Sequence, residues 1–463
     1  MSQTTRFADA IDTLSARFGK QLSTNLTTRQ QHAHTTTWLD NQPADAVLMA
    51  QDKYDVADAV KICHEYAMPV IAFGIGSSLE GHVNAPMGGL CIDMSQMNQV
   101  VAVNEEDLTA TVQAGVTRES LNQYLRATGL FFPLDPGANA TIGGMVATRA
   151  SGTNAVRYGT MKDVTLSLEV VLPTGDIIHT GTRAKKSSAG YDLTRLMVGS
   201  EGTLGIVTEV TVRLFGIPEC IGSGVCHFPS IDMACQATIA TIQMCLPIAR
   251  IELLDAVQIR ACNQYSGLSL PEQATLFVEF HGTQQGVAEQ AVLFEQIIEE
   301  FGGHDFCWDS DEAERKKLWT ARHNAYFASC ALRPDAKALS TDACVPISQL
   351  AECVTQTQAD IEASGMLAPI VGHVGDGNFH VLLLVDINDE HEKQTAEDII
   401  GRLAQRAIQM GGTCTGEHGV GQGKRKYMAD EHGDALAVMQ AIKHAIDPKG
   451  IMNPGKIWFD ELP

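Results

Sequence analysis

Short blocks of apolar and alternating residues fill the first half of the chain and predict strands separated by glycine-rich turns. The apolar run at 69–73 passes directly into a glycine-rich segment at 74–81, the order expected for a strand followed by an anion-binding loop. An alternating run at 205–215 predicts a later strand, and residues 167–181 predict a hairpin. Residues 7–18 carry large apolar side chains at helical spacing, so we expect an N-terminal helix packed on the body of the protein.

Beyond residue 217 the pattern changes to longer helical periods. The segments "MACQATIATIQMC" and "GVAEQAVLFEQIIEEFG" have amphipathic helical spacing, and they are interleaved with the apolar strands "ARIELL" and "TLFVEF". Strands crossed by helices predict an α+β domain on an antiparallel sheet. The predicted organisation is a leading segment with one helix at 1–43, a first domain at 44–216, a second domain at 217–425, and a C-terminal helix and tail at 426–463.

The segment "GHVGDGNFH" places two histidines at equal distances from an Asp-Gly turn signal at 376–377. A two-residue hairpin loop at these positions would set His373 opposite His380. Directly opposed residues point to the same face of a sheet, so both imidazoles could reach one ion. By the same parity Asn378 shares their face and Phe379 points to the other. Ordinary polar residues beside a turn remain the alternative interpretation until a third ligand is found.

Composition narrows the class of protein. The net charge is -22, from 33 Lys and Arg against 55 Asp and Glu, and such a charge repels nucleic acid. The 12 cysteines include no Cys-x-x-Cys pair, as expected for scattered thiols in a reducing compartment. No run approaches the roughly 18 apolar residues of a membrane span, and no signal peptide is recognisable. We therefore expect a cytoplasmic protein, with peripheral attachment to the inner membrane as the alternative.

Glycines cluster at 74–81, 135–160 and 199–210. The first cluster fails the dinucleotide fingerprint Gly-x-Gly-x-x-Gly because Leu79 stands at the third glycine position, which disfavours a Rossmann NAD site. Glycines mixed with small hydroxyl residues supply closely approachable backbone amides for an anionic diphosphate. Tight turns would explain any single loop. Three such loops in one predicted domain favour a bound ligand.

Two long segments resemble the FAD-binding domain of the vanillyl-alcohol-oxidase type. They are "DPGANATIGGMVATRASGTNAVRYGTMKDVTLSLEVVLPTGDIIHT" and "KKSSAGYDLTRLMVGSEGTLGIVTEVTV". Within that family the chain is most similar to the D-2-hydroxy-acid dehydrogenases of the cytochrome-type D-lactate dehydrogenase group, which share a "SSLEGH"-like loop. The resemblance runs from about Ala44 to the "MNPGK" near the C-terminus. It implies an FAD-binding domain of the PCMH type, with two subdomains, and an antiparallel-sheet cap domain that faces the flavin.

The resemblance also implies which residues hold FAD without a covalent bond. The diphosphate would meet Gly74, Gly76, Ser77 and Ser78, the flavin and ribityl chain Pro136, Thr141, Gly144, Ser151 and Tyr158, and the adenosine Glu201, Gly205 and Ile206. Phe73 and Ile75 stand where many relatives have Arg and Gly, so local contacts are expected to differ there. His82 lies close to the loop and offers a covalent alternative, but relatives with this loop bind FAD non-covalently.

The segment "GGTCTGEHGVG" offers a third ligand, Glu417, followed by His418. Two imidazoles and one carboxylate form an open site suited to Zn²⁺, Mn²⁺ or Fe²⁺, of which we favour Zn²⁺. The resemblance points the same way, because "HVGDGNFH" and "GEHGVG" match metal-binding signatures of the D-2-hydroxy-acid dehydrogenases. Consecutive residues in an extended loop point in opposite directions, so only one of Glu417 and His418 is expected to bind the ion unless the backbone turns. The resemblance implies that Glu417 is the ligand and that His418 is the base.

The substrate residues come from the resemblance. It places Arg322 and Lys337 at a substrate carboxylate with Tyr326 nearby, and Asn378 fits a polar substrate contact. The implied reaction is oxidation of a D-2-hydroxy acid, with D-lactate favoured, to the 2-oxo acid. Electrons would pass from FAD to a cytochrome, a quinone or an electron-transfer flavoprotein.

Three alternatives remain open. One is a D-2-hydroxyglutarate or glycolate dehydrogenase of the same family. Another is a metal-free FAD oxidase that uses O₂ on an alcohol or a sugar, and a third is a non-catalytic metal-binding module. The expected partners are a small 2-hydroxy acid and an electron acceptor, and the sequence is compatible with a homodimer.

Overall fold

The computed structural model describes residues 6–459, which form two compact units. The first unit comprises the chain up to Ser151, then Gly159–Ile217, then the chain from Glu417 onward. The second unit comprises Gly152–Tyr158 and Pro218–Gly416. The chain therefore enters the second unit next to the boundary drawn from sequence at 216. It returns to the first unit at Glu417, before the boundary that the sequence predicted at 425. An earlier short segment, 152–158, also belongs to the second unit.

The elements are numbered in chain order. The helices are α1 (Ala8–Phe18), α2 (Leu26–Gln31), α3 (Lys53–Glu65), α4 (Arg118–Leu125), α5 (Ile142–Thr148), α6 (Ala155–Tyr158), α7 (Met161–Val164), α8 (Leu193–Met197), α9 (Ile231–Gln243), α10 (Ala256–Ser266), α11 (Gln284–Glu300), α12 (Glu312–His323), α13 (Ala325–Leu332), α14 (Leu350–Ser364), α15 (Glu390–Gln409), α16 (Met428–His432) and α17 (Ala435–Ile446). The strands are β1 (Leu22–Ser23), β2 (Ala46–Met49), β3 (Val70–Phe73), β4 (Leu90–Asp93), β5 (Val100–Asn104), β6 (Thr109–Gln113), β7 (Leu130–Phe131), β8 (Thr165–Val171), β9 (Ile177–His179), β10 (Ile206–Arg213), β11 (Phe215–Gly216), β12 (Cys220–Phe228), β13 (Ile248–Leu254), β14 (Ala274–Gly282), β15 (His304–Asp309), β16 (Lys337–Ser340), β17 (Ala343–Cys344), β18 (Ile370–Gly372) and β19 (Asn378–Val385).

Two larger sheets and the two-stranded pair of β7 and β11 build the first unit. One has the order β1-β2-β4-β3, with β2 and β3 parallel to β4, and the other is antiparallel in the order β5-β6-β10-β8-β9. Helix α1 buries Leu14 and Phe18 in the core beside α3, which confirms the predicted N-terminal helix. The hairpin predicted at 167–181 is also confirmed, as the antiparallel pair β8 and β9.

The first glycine loop begins where two parallel strands end. Phe73, the last residue of β3, is in register with Asp93, the last residue of β4. The carboxyl ends of parallel strands are the usual edge for ligand binding in such sheets. Gly76 has a φ of +67°, and a Cβ there would lie 2.9 Å from the Phe73 ring. The loop therefore needs glycine at this position to pass over β3.

One antiparallel sheet forms the second unit. Its order is β15-β12-β14-β13-β18-β19-β16, and β17 pairs with β19. Helices α9, α11, α14 and α15 share a buried apolar cluster with one face of this sheet, and α10, α12 and α13 share a separate cluster with residues of the other face. Apolar side chains alternate between these faces along β19, with Phe379 in the first cluster and Leu382 in the second. This is the predicted α+β architecture.

The hairpin around the two histidines has a different register from the predicted one. Val371, not His373, lies opposite His380, because residues 374–376 form a 3-10 turn and lengthen the loop. A two-residue type I′ loop would need positive φ at both central positions. Here Gly377 has a φ of +77°, whereas Asp376 belongs to the 3-10 turn. The register moves by two residues, which preserves the face on which each side chain lies.

We expect Gly377→Ala to destabilise the second unit more than Gly365→Ala does. Both glycines have positive φ, which costs alanine roughly 1–2 kcal/mol. A Cβ at Gly365 meets no atom within 4 Å, whereas a Cβ at Gly377 would collide with the Val345 carbonyl oxygen. Relieving that collision should add about 1–3 kcal/mol to the loss of stability in Gly377→Ala. Urea unfolding of the two variants measures the difference, and equal losses of stability would contradict this account of the loop.

Candidate active site

The two hairpin histidines lie side by side and are buried. Their ring centroids are 5.4 Å apart and the rings are nearly perpendicular, at 83°. His373 Nδ1 lies 2.8 Å from Glu252 Oε1, and His380 Nδ1 lies 3.0 Å from the Thr341 carbonyl oxygen. Oxygen acceptors at both Nδ1 atoms require each Nδ1 to carry the proton. In the neutral ring Nε2 then holds the lone pair, which is the arrangement found in metal-binding histidines.

Glu252 is the buried carboxylate that fixes His373. It lies in the central strand β13 with no exposed surface. Arg322 donates to Glu252 Oε2 from Nε at 2.8 Å and makes an ion pair from Nη2 at 2.6 Å. A buried carboxylate needs such compensation. Sequence reasoning missed Glu252, although a lone carboxylate inside the apolar strand "ARIELL" was the available signal.

Asp342 is a second carboxylate that sequence reasoning missed. Its Oδ1 lies 3.6 Å from His380 Nδ1 and accepts a hydrogen bond of 3.0 Å from the Asn378 amide. Thr415 donates to its Oδ2 at 2.8 Å, and the Gly416 N–H donates to its backbone carbonyl at 2.8 Å. Asn378 and His380 thus share one buried acidic neighbour. The same residue anchors the chain at the point where it leaves the second unit.

Glu417 and His418 begin the last segment of the first unit. The backbone bends at 416–418, and Gly419 has a φ of +79°. This bend brings ligand atoms of Glu417 and His418 within 4.8 Å of one another. The divergence expected for an extended loop therefore does not apply, because the backbone turns here. His418 Nδ1 also lies 3.9 Å from Glu80, which forms a buried ion pair with Lys424 at 3.1 Å.

The other predicted substrate residues lie elsewhere in the second unit. Lys337 is exposed at the start of β16 and pairs with Val385, so about 17 Å of strand separates it from His380, on the opposite face of the sheet. The structure does not bring Lys337 to the histidine pair. Tyr326 packs against the cluster formed by α10, α12 and α13. Burial, together with Cys330, raises the pKa of Tyr326 to about 12, so its phenol is a hydrogen-bond donor at neutral pH.

Within the first unit, two of the predicted cofactor loops touch. A Cβ on Gly74 would collide with the hydroxyl of Thr141, which caps α5 by accepting the Gly144 N–H at 3.2 Å. Among the residues that the structure describes, the Ser78 hydroxyl is buried without a hydrogen-bond partner. An unpartnered buried hydroxyl beside a glycine cradle fits the diphosphate of a dinucleotide.

Glu201, predicted at the adenosine, ties loops together within the first unit. Its carboxylate accepts the N–H groups of Val420 and Gly421 at 2.7 and 2.8 Å, and His82 Nε2 lies 3.2 Å away. Burial by itself raises the pKa of Glu201, but His82 and the two amides outweigh it and hold the pKa below the usual range. The remaining predicted first-unit contacts are spread along the chain: Ser77 after β3, Pro136 between β7 and α5, Ser151 after α5, and Gly205 and Ile206 at the start of β10.

Tyr158 is the last residue of α6 and belongs to the second unit. Its hydroxyl lies 2.7 Å from His281 Nδ1, and His281 Nε2 lies 2.8 Å from Glu279. Burial raises the pKa of Tyr158 above its ordinary value. The phenol is therefore held in its protonated form at the end of a buried chain of polar groups.

Two family models together match most of the chain. The model for an FAD binding domain matches residues 44–181, and the model for the C-terminal domain of FAD linked oxidases matches residues 217–457. The chain belongs to the FAD-linked oxidase family. The glycine cradle and the Ser78 hydroxyl fit the FAD that this family binds. Predicted FAD binding is thereby supported by both the family and the local structure.

Two relatives of this FAD-linked oxidase are similar over most of their length. A probable mitochondrial D-lactate dehydrogenase of Danio rerio is 51% identical, covering 93% of this chain and 87% of the relative. A mitochondrial cytochrome-type D-lactate dehydrogenase of Arabidopsis thaliana is 47% identical, covering 89% of this chain and 73% of the relative. These relatives confirm the predicted resemblance and the prediction of an FAD-dependent enzyme. The cytoplasmic location stays a prediction.

A solved structure shares the fold. p-Cresol methylhydroxylase superposes with a TM-score of 0.79 at 16% identity, covering 98% of this chain and 96% of the other. This likeness confirms the predicted PCMH-type FAD-binding fold with an α+β second domain. Within residues 6–459, no helix combines the length and apolar character needed to cross a bilayer.

We expect Glu252→Gln to weaken binding of a divalent cation by about 10–100-fold, the usual effect of losing the group that orients a ligating imidazole. The amide can still contact His373 but no longer sets its tautomer. Calorimetric titration of metal-free protein with Zn²⁺ measures the change. The matched control is Glu295→Gln, an exposed carboxylate on α11. Unchanged affinity in a folded Glu252→Gln protein would show that the Glu252 carboxylate does not support a ligating His373.

Proposed function

We propose that this FAD-linked oxidase oxidises a D-2-hydroxy acid to the 2-oxo acid, with D-lactate as the preferred substrate. The observation that carries the proposal is the buried histidine pair with both Nδ1 atoms committed to oxygen acceptors. An alcohol oxidase without a metal has no need of such a pair. The D-lactate dehydrogenase relatives support the choice of substrate.

We propose that His373, His380 and Glu417 bind one divalent cation, with Zn²⁺ favoured. Asp342 is an additional candidate because it lies beside His380. The structure anchors Gly416 on Asp342, and the next residue in the chain is Glu417, whose Cα is about 3.8 Å from that of Gly416. A bound divalent cation would lower the pKa of the substrate hydroxyl. FAD, bound non-covalently, would supply the acceptor for hydride.

In this proposal His418 accepts the proton of the substrate hydroxyl. Glu80 stands 3.9 Å from its Nδ1 and is itself paired with Lys424, so the charge of this carboxylate is compensated. Arg322 binds the substrate carboxylate in this proposal. Its Nε and Nη2 contact Glu252, but a guanidinium carries five N–H donors, which is more than these two contacts use. The Tyr326 phenol is a further donor for this carboxylate. Lys337 has no role in the proposed reaction, because its partner in β19 is Val385, which lies far along the strand from His380.

The electron acceptor is proposed from the relatives. The name of the Arabidopsis thaliana relative specifies a cytochrome, so a cytochrome is the first candidate, with a quinone or an electron-transfer flavoprotein as alternatives. The net charge of -22 favours a basic partner surface over an acidic one.

The first test is a substrate panel with an artificial electron acceptor. We expect D-lactate to be oxidised fastest, L-lactate not at all, and all activity to disappear on chelation while the flavin spectrum persists. Glycolate or D-2-hydroxyglutarate oxidised faster than D-lactate would select the alternative substrates. Activity that survives verified metal removal and consumes O₂ would replace the proposal with the metal-free oxidase.

The second test is His418→Asn. Loss of a general base should lower turnover by roughly 10²–10⁴, with metal and FAD content unchanged. His444→Asn, an exposed histidine on α17, is the matched control and should retain full turnover. If His418→Asn loses the metal instead, His418 is a ligand, and another group must take the proton. Its ligand atom lies within 4.8 Å of that of Glu417, which allows this role.

A further inference from the structure

A buried carboxylate stands at the edge of the sheet where the first glycine loop begins. Asp93 is the last residue of β4, is 5% exposed, and lies in register with Phe73 at the start of the loop. Its Oδ1 accepts the Ser95 N–H at 2.7 Å. A negative charge at this edge opposes a diphosphate bound by the loop, because like charges repel strongly where water is excluded.

His32, from the leading segment, neutralises this carboxylate. Its Nε2 lies 2.8 Å from Asp93 Oδ2, and its Nδ1 lies 2.8 Å from the Thr28 carbonyl oxygen. With oxygen acceptors at both nitrogens, only the doubly protonated imidazolium makes both hydrogen bonds. Arg29, one turn back, is directed to the Ala44 carbonyl and toward Asp45 instead. Among the described residues, His32 is thus the cation that faces Asp93.

The His32 ring also supports the glycine loop. Its centroid is 4.6 Å from that of Phe73, the residue over which the loop passes. A Cβ on Gly76 would lie 2.9 Å from the Phe73 ring and 3.5 Å from the His34 carbonyl oxygen. The segment 32–34 therefore forms one wall behind the loop. This segment precedes the residues matched by the FAD binding domain model, which begin at 44.

We propose that protonated His32 is a positioning residue of the cofactor site, which cancels the charge of Asp93 and so permits the FAD diphosphate to bind. The proposal rests on FAD being the cofactor. When His32 loses a proton, one of its two hydrogen bonds is lost and Asp93 becomes an uncompensated anion beside the diphosphate. FAD affinity then falls as the pH rises.

The environment of His32 sets the pH range. The hydrogen bond to Asp93 raises the pKa of His32, burial lowers it, and the Thr28 carbonyl raises it, with a net shift above the ordinary value. A raised pKa in the folded protein means that the stabilisation is complete below the ordinary histidine pKa of about 6.5. It is lost as the pH rises through the raised value. FAD affinity should follow the same direction.

The test is to measure FAD binding to the apoprotein through the quenching of flavin fluorescence. The measurements run from about pH 6 to about pH 9, where a histidine with a raised pKa titrates. Wild-type affinity should fall with rising pH. The FAD affinity of His32→Gln should be weaker than that of the wild type at low pH by on the order of tenfold, because one pKa unit of coupling corresponds to that factor. The affinity of this variant should not change with pH. His32→Gln/Asp93→Asn, which removes both charges, should recover most of the lost affinity and also be independent of pH.

A matched control and a stability measurement separate this role from a merely structural one. His444→Gln changes an exposed histidine on α17 and should reproduce the wild-type pH profile. Thermal unfolding of each apoprotein shows whether it is folded. If His32→Gln does not fold, the wild-type profile and the double variant remain decisive.

Two results would overturn the proposal. One is a wild-type affinity that does not change with pH, and the other is a double variant as weak as folded His32→Gln. If the wild-type protein binds no FAD at any pH, the cofactor assignment itself fails, which is a different outcome.

Discussion

Buried carboxylates held by imidazoles are the interaction on which both units of this protein depend. A carboxylate removed from water is costly unless it is paired and hydrogen-bonded. In four places a buried carboxylate faces a histidine nitrogen at 2.8–3.2 Å: Asp93 with His32, Glu201 with His82, Glu252 with His373, and Glu279 with His281. Three of these pairs join separate segments of one unit, whereas Glu279 and His281 both lie in β14. Part of the acidic composition is thus buried and paired with imidazoles.

The pair that bears on the proposed metal site is Glu252 with His373. Glu252 lies in the middle of β13, so the position of His373 is set by the sheet. His380 is set by β19 and by the Thr341 carbonyl. If both histidines bind the proposed cation, their positions on one sheet hold them more accurately than free loops would. Arg322 neutralises Glu252, and in the proposed reaction the same guanidinium would also bind the substrate carboxylate.

In the first unit a buried charge is likewise compensated beside the predicted cofactor loop, where His32 contacts Asp93. Glycines allow the loop at 74–81 to pass closely over β3, and the Ser78 hydroxyl is left for a ligand. The leading segment closes the back of this loop through His32 and His34. Phe73, the last residue of β3, is the residue against which His32 packs. The start of the loop and the histidine in the leading segment therefore belong to one local arrangement.

Several features followed from the sequence because they depend on local rules. The period of apolar residues gave α1 and the hairpin of β8 and β9, and the long glycine-rich segments carried the resemblance to the FAD-binding family. The shared face of His373 and His380 was also predictable. Parity survives a register shift of two residues, so the wrong register still put both rings on one face.

Other features were decided only by the tertiary structure. Glu252 and Asp342 are far in sequence from the histidines they contact, and Lys337 is separated from His380 by its place on an edge strand. The bend that brings Glu417 and His418 close to each other was also not predicted by the sequence pattern. Sequence by itself determined which residue types could do the chemistry and on which face they lie. The fold decided which charges are buried together, because pairing between distant strands has no signature in local periodicity.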